Sequence, residues 1–317
     1  MKKVNYGDFL GKKFLAIIFC AAIIYSVLLV FSDVNVIYEK MFNFDLKFLP
    51  VILAIIFSSW MILFLRWLIL LRKHEINITL KENLLVYLAG FALSVSPAKS
   101  GELIKSLLLK NNFNIKKSKT IPIIFLERFY DIIGTFSVAV IGITFLGLGS
   151  EMILIIIPVL IVIIFSFIYS RKGFNIVLHV LNRIKFLEKF SVSLKASHEI
   201  IRKSSNLKTV CSCSALTILF RLIEGIGIIL ILFAIGIDFE FFHLVAIYST
   251  SVILGAISMS PGGLGVTEGS FAGLLALYGF ELQTTLVLAI IIRFFTLWFG
   301  VIVGFISLKL IKFRSTF

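Results

Sequence analysis

The chain carries one motif twice, as Ser94-Val-Ser-Pro-Ala-Lys-Ser-Gly101 and as Ser258-Met-Ser-Pro-Gly-Gly-Leu-Gly265. Each copy interrupts a long apolar segment, 83–109 in the first case and 243–280 in the second. Proline lacks an N–H donor and biases the preceding residue away from helical geometry. The motif therefore predicts that each segment forms two half-helices. We expect the second half-helix to begin at Gly101 in one copy and near Gly263–Gly265 in the other.

The chain as a whole is apolar enough to belong in a membrane. Of 317 residues, 59% are hydrophobic and 15% are charged, against roughly a quarter charged in a soluble domain. About 20 apolar residues in a helix cross the hydrocarbon core. We predict an all-α, polytopic membrane protein that forms a single membrane domain over 1–317. Its six full spans are expected at about 14–32, 49–71, 120–147, 152–170, 209–236 and 284–308, with the first retained because it lacks a small-residue cleavage site.

The basic residues fall between the spans and set the expected orientation. The formal net charge is +14, but its placement is that of membrane topology and not of a nucleic-acid surface. Five segments hold 23 Lys and Arg, whereas the other connections hold two Lys and seven acids. With the basic set in the cytoplasm, both termini are cytoplasmic and the protein lies in the inner (plasma) membrane. The basic segments are 1–13, 72–82, 110–119, the connector 171–208 and the tail after 308.

In this topology each broken segment enters and leaves on one side of the membrane. The flanks of segment 83–109 are basic, and the flanks of segment 243–280 are acidic. Two structures satisfy this pattern, a re-entrant helical hairpin or a tight pair of short spans. We expect re-entrant hairpins because each segment is short and broken near its middle.

The similarity between the two halves extends beyond the hairpin motif. Ile62-Leu-Phe-Leu-Arg66 resembles Ile218-Leu-Phe-Arg221, and Arg128-Phe-Tyr resembles Arg293-Phe-Phe. Pro97 precedes Arg128 by 31 residues, and Pro261 precedes Arg293 by 32. We therefore predict a repeat whose first copy is about 14–147 and whose second is about 152–308. Because each copy holds three full crossings, the second is expected to be inverted.

Inverted repeats with broken helices are typical of secondary transporters, which place a binding site near the bilayer midplane. A half-helix N-terminus offers free N–H groups and a positive dipole end, which suit an anion. Glycines allow close approach to the backbone. The two motifs therefore indicate a site for an anionic substrate.

Charged residues within spans are costly and mark functional sites by default. The candidate substrate-binding residues are the motif and deep charged residues Pro97, Lys99, Gly101, Glu102, Glu127, Arg128, Asp131, Arg221, Pro261, Gly262, Gly263, Gly265, Glu268 and Arg293. We expect Arg221 to pair with Glu224 at i, i+3, and three deep arginines to lack an evident partner. Arg66 fits a snorkelling role as well as a functional one, and Lys105 fits an interfacial anchor. The pattern indicates no catalytic, metal or cofactor site.

The pattern Pro97-x-x-x-Gly101-Glu102, Glu127-Arg128-x-x-Asp131 and Pro261-Gly-Gly-Leu-Gly265 with Glu268 resembles a flippase-like family. That family is related to the transmembrane region of lysylphosphatidylglycerol synthase, and the resemblance covers nearly the whole chain. It implies movement between leaflets of an aminoacylated phospholipid or a polyprenyl-linked intermediate. Fused members carry a cytosolic aminoacyl-transferase after the membrane part, and the sequence to Phe317 contains none, so we expect no lipid lysylation. Members often have arginine or asparagine where this chain has Ala98-Lys99.

Three functions remain open from the sequence. The first is a lipid translocator that moves an anionic phospholipid or polyprenyl-type amphiphile by alternating access. The second is a non-catalytic membrane partner of a glycan or lipid biosynthesis enzyme, recruited through 171–208. The third and least supported is a membrane enzyme that acts on lipid phosphates with Glu127, Asp131 or Glu268 as acid or base. The oligomeric state is not indicated.

Overall fold

The computed structural model describes residues 44–145 and 206–311, together with the isolated residues Phe42, Ile176 and His179. These residues form helices and connections, with no strand among them, so the predicted all-α class is confirmed for this part. The expected spans 14–32 and 152–170 lie outside the described residues, as does almost all of the connector 171–208. The helices are α1 (Leu49–Lys73), α2 (Leu80–Ala89), α3 (Ile104–Phe113), α4 (Lys117–Phe145), α5 (Leu207–Ala234), α6 (Phe241–Ile257), α7 (Val266–Ala276), α8 (Leu282–Arg293) and α9 (Phe299–Leu310).

Within residues 44–145 and 206–311, three continuous helical stretches are long and apolar enough to cross a membrane. They are Leu46–Lys73, Leu207–Ala234 and Leu282–Leu310, of 28, 28 and 29 residues. The last one joins α8 and α9 through a single π-helical turn, Phe294–Trp298. Helix α4 has 29 residues and coincides with the span expected at 120–147. Four of the six expected spans thus have helices at the predicted positions, and the membrane character of the protein is supported.

Local sequence signals account for the ends of these helices. Pro50 stands in the first turn of α1, where its missing N–H is not needed. Arg72 and Lys73 occupy the last turn of α1, beside the negative end of the helix dipole. Helix α5 begins after Asn206, whose side chain accepts a hydrogen bond of 3.0 Å from the Thr209 N–H.

The first broken segment is interrupted at the predicted Ser-Pro position. Helix α2 ends at Ala89, a 3₁₀ turn follows over Gly90–Leu93, and a 3₁₀ helix starts at Pro97. The expectation that the second half-helix begins at Gly101 was wrong. Helical geometry resumes at Pro97 because proline is preorganised for a first helical position, and α-helical geometry is reached at Ile104.

The second broken segment begins its second half where the sequence predicts. Helix α6 ends at Ile257 and α7 starts at Val266, directly after Gly265. Between them, Gly262, Gly263 and Gly265 have φ of 63°, 73° and 80°. Only glycine adopts these values without strain. The breaks are therefore present in both segments, while re-entrance into a membrane stays a prediction.

The two halves pack through reciprocal contacts. Helix α1 packs on α5. In the first broken segment, called here the first hairpin (limbs α2 and α3), α2 packs on α9. In the second broken segment, the second hairpin (limbs α6 and α7), α6 packs on α4. Small residues permit close approach at each contact: Gly227 lies against Ile56, Gly304 against Ala92 and Gly142 against Ala246. Exchanging the halves would leave this pattern unchanged, as expected for a repeat. Both the repeat and the inversion of its second copy remain predictions.

The two broken segments also meet each other at their tips. Val95 packs with Leu264 in a small apolar cluster completed by Leu297 and Val301 of the C-terminal helices. A Cβ added to Gly262 would lie 3.1 Å from the Cα of Val95, so the tips touch backbone to backbone. The breaks of both hairpins therefore lie at one place in the fold.

Candidate functional site

A buried network of charged side chains lies between the first hairpin and the helices α1, α4 and α5. Arg66 lies in the C-terminal half of α1 and is fully buried. Its Nη1 donates to the Asp131 carboxylate of α4 and to the Thr217 hydroxyl of α5, both at 2.7 Å. Its Nη2 lies 3.9 Å from the carboxylate of Glu127. Arg66 thus joins three helices through one guanidinium.

Lys105, on the second limb of the first hairpin, occupies the opposite end of this network. Its Nζ lies 2.7 Å from Glu127 and 3.1 Å from Glu102. The same ammonium stands 4.8 Å from the ring centroid of Trp67 and 5.3 Å from that of Tyr87. These are cation–π distances. The ammonium is therefore enclosed by two carboxylates and two aromatic rings.

Arg128 closes the network on its more accessible side. Its Nη2 donates to Glu102 and its Nη1 pairs with Asp131, each at 2.9 Å. The side chains of Arg128 and Asp131 are 22% and 17% exposed, whereas Glu127 is fully buried. The accessible edge of the network is therefore this ion pair.

Lys99 stands at the same edge, at the tip of the first hairpin. Its side chain is exposed, and its backbone has a φ of 52°, in the left-handed region that non-glycine residues rarely adopt. Its electrostatic neighbours include Arg128, Asp131, Glu102 and Arg221. Within the described part of the chain its ammonium belongs to no ion pair. A backbone conformation of this kind costs of order 1–3 kcal/mol and is typical of functional positions.

The network itself is electrically neutral, and Lys99 adds one further positive charge at its edge. Three cations (Arg66, Lys105 and Arg128) face three carboxylates (Glu102, Glu127 and Asp131). Lys99 adds a positive charge at the exposed edge. The hydrogen bonding is not saturated, since the buried Nε of Arg128 and the buried Nε and Nη2 of Arg66 have no hydrogen-bond partner among the described residues.

A second, smaller ion pair holds the tip of the second hairpin. The fully buried Glu268 accepts from the Arg293 Nε at 2.8 Å with one oxygen and from the Gly265 N–H at 2.8 Å with the other. Arg293 also donates to the carbonyl oxygen of Gly262. The glutamate thereby caps α7, and the arginine ties α8 to the glycine turn.

The two hairpins use their charges in the same way. Glu102 pairs with Arg128, 26 residues later, and Glu268 pairs with Arg293, 25 residues later. In each half a hairpin glutamate therefore binds the arginine of the following long helix. The arginine of the first half is the more exposed, at 22% of its side chain against 9% for Arg293.

Arg221 links the buried network to the second half of the chain. Its Nε donates to the Thr135 hydroxyl on α4 at 2.9 Å, and its Nη1 pairs with Glu224 at 2.6 Å. The predicted Arg221–Glu224 pair is confirmed. Thr135 in turn donates to the backbone carbonyl of Asp131, so a chain of contacts runs from Arg221 to the network.

The structure brings most of the predicted site residues into one region and divides them between two hairpin tips. Glu102, Glu127, Arg128 and Asp131 lie together in the first network, and Lys99 stands at its exposed edge. Gly262, Gly265, Glu268 and Arg293 lie together in the second. Pro97 and Pro261 open the 3₁₀ segments at the two tips. Gly101 and Gly263 supply close packing, Gly101 against Leu93 and Ser96 and Gly263 against Thr267.

Three interpretations made from the sequence need correction. The other deep arginines do not lack partners, because Arg66, Arg128 and Arg293 each pair with a carboxylate. Lys105 is not an interfacial anchor, because its side chain is 1% exposed and doubly paired. Arg66 does not snorkel, because it is buried at the centre of the network. The i, i+3 spacing of Glu102 and Lys105 was the available signal for the second case.

Broken helices, long apolar helices and a buried charge network define this chain as a polytopic α-helical membrane protein with a polar centre. It belongs to the lysylphosphatidylglycerol synthase TM region family, whose pattern matches residues 15–304. The resemblance seen in the sequence is thereby confirmed.

Two archaeal relatives illustrate the family. A UPF0104 membrane protein of Methanocaldococcus jannaschii is 26% identical over 232 residues, covering 70% of this chain and 94% of the relative. A UPF0104 membrane protein of Methanothermobacter thermautotrophicus is 25% identical over 256 residues, covering 71% and 72%. No solved structure is significantly similar to the chain.

Proposed function

We propose that the protein is a lipid translocator that moves an anionic amphiphile between membrane leaflets by alternating access. The amphiphile is a phospholipid or a polyprenyl-linked lipid whose head group carries phosphate. The proposal places the protein in the inner (plasma) membrane with both termini in the cytoplasm, as a carrier without a covalent step. The residues proposed to bind the head group are those of the first hairpin tip, including Lys99, and those of the adjoining Arg128–Asp131 ion pair.

One observation carries the proposal. Each carboxylate that Arg128 binds has a second cation of its own: Glu102 keeps Lys105 at 3.1 Å and Asp131 keeps Arg66 at 2.7 Å. Arg128 can therefore turn to an incoming phosphate without leaving a lone buried carboxylate. An uncompensated buried charge would cost about 3–5 kcal/mol. This arrangement lowers the barrier to exchanging an internal anion for a ligand anion.

The chemistry of the exposed edge matches a phosphate head group. Arginine binds phosphate through two parallel N–H donors, and the Nε of Arg128 has no partner in the described protein. Lys99 supplies a second positive charge at the same edge. A phosphate that binds both cations replaces part of the hydration it loses on entering the membrane.

The broken helices support movement across the membrane. Irregular backbone at membrane depth is tolerated where protein or a wet cavity surrounds it. The tips of the two hairpins touch at Val95 and Gly262, so a change in either hairpin reaches the other directly. Opposed hairpins are the arrangement with which inverted-repeat transporters expose one site to alternate sides.

The first test measures leaflet exchange in liposomes that contain purified protein and fluorescently labelled phosphatidylglycerol. Arg128→Gln is expected to slow exchange at least about tenfold, equivalent to ~1.4 kcal/mol of lost stabilisation. Arg72→Gln removes the same charge from an exposed helix end and is the matched control, expected to exchange as the wild type does.

Two results would count against the proposal. Wild-type protein that accelerates the exchange of neither phosphatidylglycerol nor a polyprenyl phosphate is no translocator of this class. Equal loss in both arginine variants would show that overall charge matters and that the edge formed by Arg128 does not. A variant with reversed charges in 171–208 separates recruitment of a partner from transport, because only recruitment should suffer.

A further inference from the structure

The environment of Lys105 has the composition of a receptor for an ammonium group. Two carboxylates lie within 3.1 Å of its Nζ, and the rings of Trp67 and Tyr87 lie at 4.8 and 5.3 Å. Carboxylates combined with aromatic faces are how proteins recognise cationic amine ligands. In this protein the ammonium group of Lys105 occupies the position that such a ligand would take.

Glu102, Glu127, Trp67 and Tyr87 form an ammonium cage around Lys105, and three of these walls, all but Glu127, are held independently of the lysine. The Nε1 of Trp67 donates to the Asn83 side chain at 2.8 Å, and Tyr87 packs against Phe64 and Phe91 with ring centroids 5.4 and 5.3 Å apart. Glu102 is also held by Arg128 at 2.9 Å. Removal of the lysine side chain would therefore leave three walls in place, with Glu127 keeping only the 3.9 Å contact with Arg66.

With the cage filled, the edge that a head group meets is positive. The accessible groups are the ammonium of Lys99, the guanidinium of Arg128 and the carboxylate of Asp131. Asp131 is already neutralised by Arg66 at 2.7 Å and by Arg128 at 2.9 Å. Among the described residues of this edge, an ammonium-bearing head group would find no unpaired carboxylate and would stand beside two cations, which disfavours it.

We infer that Lys105 is a built-in occupant of the protein's ammonium cage, and that the site therefore selects phosphate head groups without an ammonium group over aminoacylated ones. The inference rests on the proposed lipid-binding role of the first hairpin and specifies the substrate class of that same site. Lys105 acts here as a specificity-determining residue because its ammonium neutralises the carboxylates of Glu102 and Glu127.

A binding measurement on the wild-type protein tests the inference without any substitution. Purified protein in detergent carries fluorescent phosphatidylglycerol, which is displaced by unlabelled phosphatidylglycerol or by lysyl-phosphatidylglycerol. We expect the lysylated lipid to compete at least about tenfold less well, or ~1.4 kcal/mol. Equal or better competition by the lysylated lipid would overturn the inference.

A pair of variants tests the cage itself. Lys105→Met and Lys99→Met each remove one positive charge, but only the first empties the cage. Ethylammonium chloride is expected to raise the thermal unfolding temperature of Lys105→Met more than sodium chloride of equal concentration does. Lys99→Met and wild type are expected to respond equally to the two salts. A Lys105→Met protein that is indifferent to ethylammonium would refute the cage.

Lipid binding and leaflet exchange are separate measurements, so the head-group selectivity and the proposed translocation can fail independently. Should Lys105→Met fail to fold, the displacement measurement on the wild type still decides the head-group selectivity. Selective binding of phosphatidylglycerol without leaflet exchange would contradict translocation and support the selectivity. Exchange of both lipids at equal rates would support translocation and contradict the selectivity.

Discussion

Glu268 illustrates how single side chains hold the polar centre of this protein. It is fully buried, yet both of its oxygens are bound, one by Arg293 and one by the Gly265 N–H. Losing one partner of a buried ion pair costs about 3–5 kcal/mol, whereas an exposed pair contributes about 0–1 kcal/mol. The buried residues are therefore expected to dominate the effect of charge substitutions on stability.

Replacing Glu268 by glutamine should destabilise the second hairpin. The amide oxygen can still accept from Gly265, but the charge opposite Arg293 is lost, and we expect a loss of about 3 kcal/mol. Thermal unfolding of the purified protein in detergent would report it as a clear fall in melting temperature. Glu281→Gln, at an exposed helix start, is the control and should unfold as the wild type does. Equal melting temperatures for both variants would contradict this role of Glu268.

At the scale of elements, the first hairpin depends on a close contact across its own break. A Cβ added to Gly101 would collide with the carbonyl oxygen and Cβ of Leu93 and would lie 2.8 Å from the Ser96 hydroxyl. That hydroxyl also donates to the Leu93 carbonyl at 2.8 Å. The glycine is thus required by packing and not by a left-handed backbone.

Gly101→Ala should therefore separate the two limbs of the first hairpin and displace Glu102 from Arg128. We expect slower lipid exchange and a melting temperature lowered by the equivalent of a few kcal/mol, the cost of forcing atoms into a packed site. Gly269→Ala is the matched control, since a Cβ there meets nothing within 4 Å. Because alanine favours helix over glycine by about 1 kcal/mol, this control should be neutral or stabilising. The idea fails if Gly101→Ala behaves like Gly269→Ala.

At the scale of the whole molecule, the sidedness of the two hairpins is the central untested prediction. The charge distribution places 72–82 and 110–119 in the cytoplasm and 237–242 and 278–285 outside. Single cysteines in a chain with its native cysteines replaced would test this placement. Asp238→Cys and Gln283→Cys should react with an impermeant maleimide in intact cells, whereas Asn77→Cys and Lys116→Cys should react only after permeabilisation.

The same labelling separates a re-entrant hairpin from a pair of short spans. A re-entrant tip lies within the membrane, so Ser100→Cys should be protected from an impermeant reagent added outside. A pair of short spans would place this residue at the outer surface. Rapid reaction of Ser100→Cys in intact cells would exclude re-entrance. Ser258→Cys, at the other tip, should be protected from the cytoplasmic side in inverted vesicles.

Local sequence patterns explain which features of the fold could be predicted from the sequence. Apolar runs of span length indicate membrane helices, and the helices α1, α4 and α5 lie within a few residues of the expected spans. Pro97 and Pro261 locate the breaks, because a missing N–H and a restricted neighbour are properties of the residue itself. The i, i+3 spacing of Arg221 and Glu224 sufficed to predict their ion pair.

Packing between distant segments decided the rest. Arg66 meets Thr217 across 151 residues, and Lys105 meets Glu127 across 22 residues while lying against the ring of Trp67 from another helix. Nothing local distinguishes a buried lysine from an interfacial one, because the difference lies in which helices cover it. The class of the protein and the positions of its breaks thus follow from local sequence patterns. The balanced charges at its centre exist only because four separate segments fold together around them.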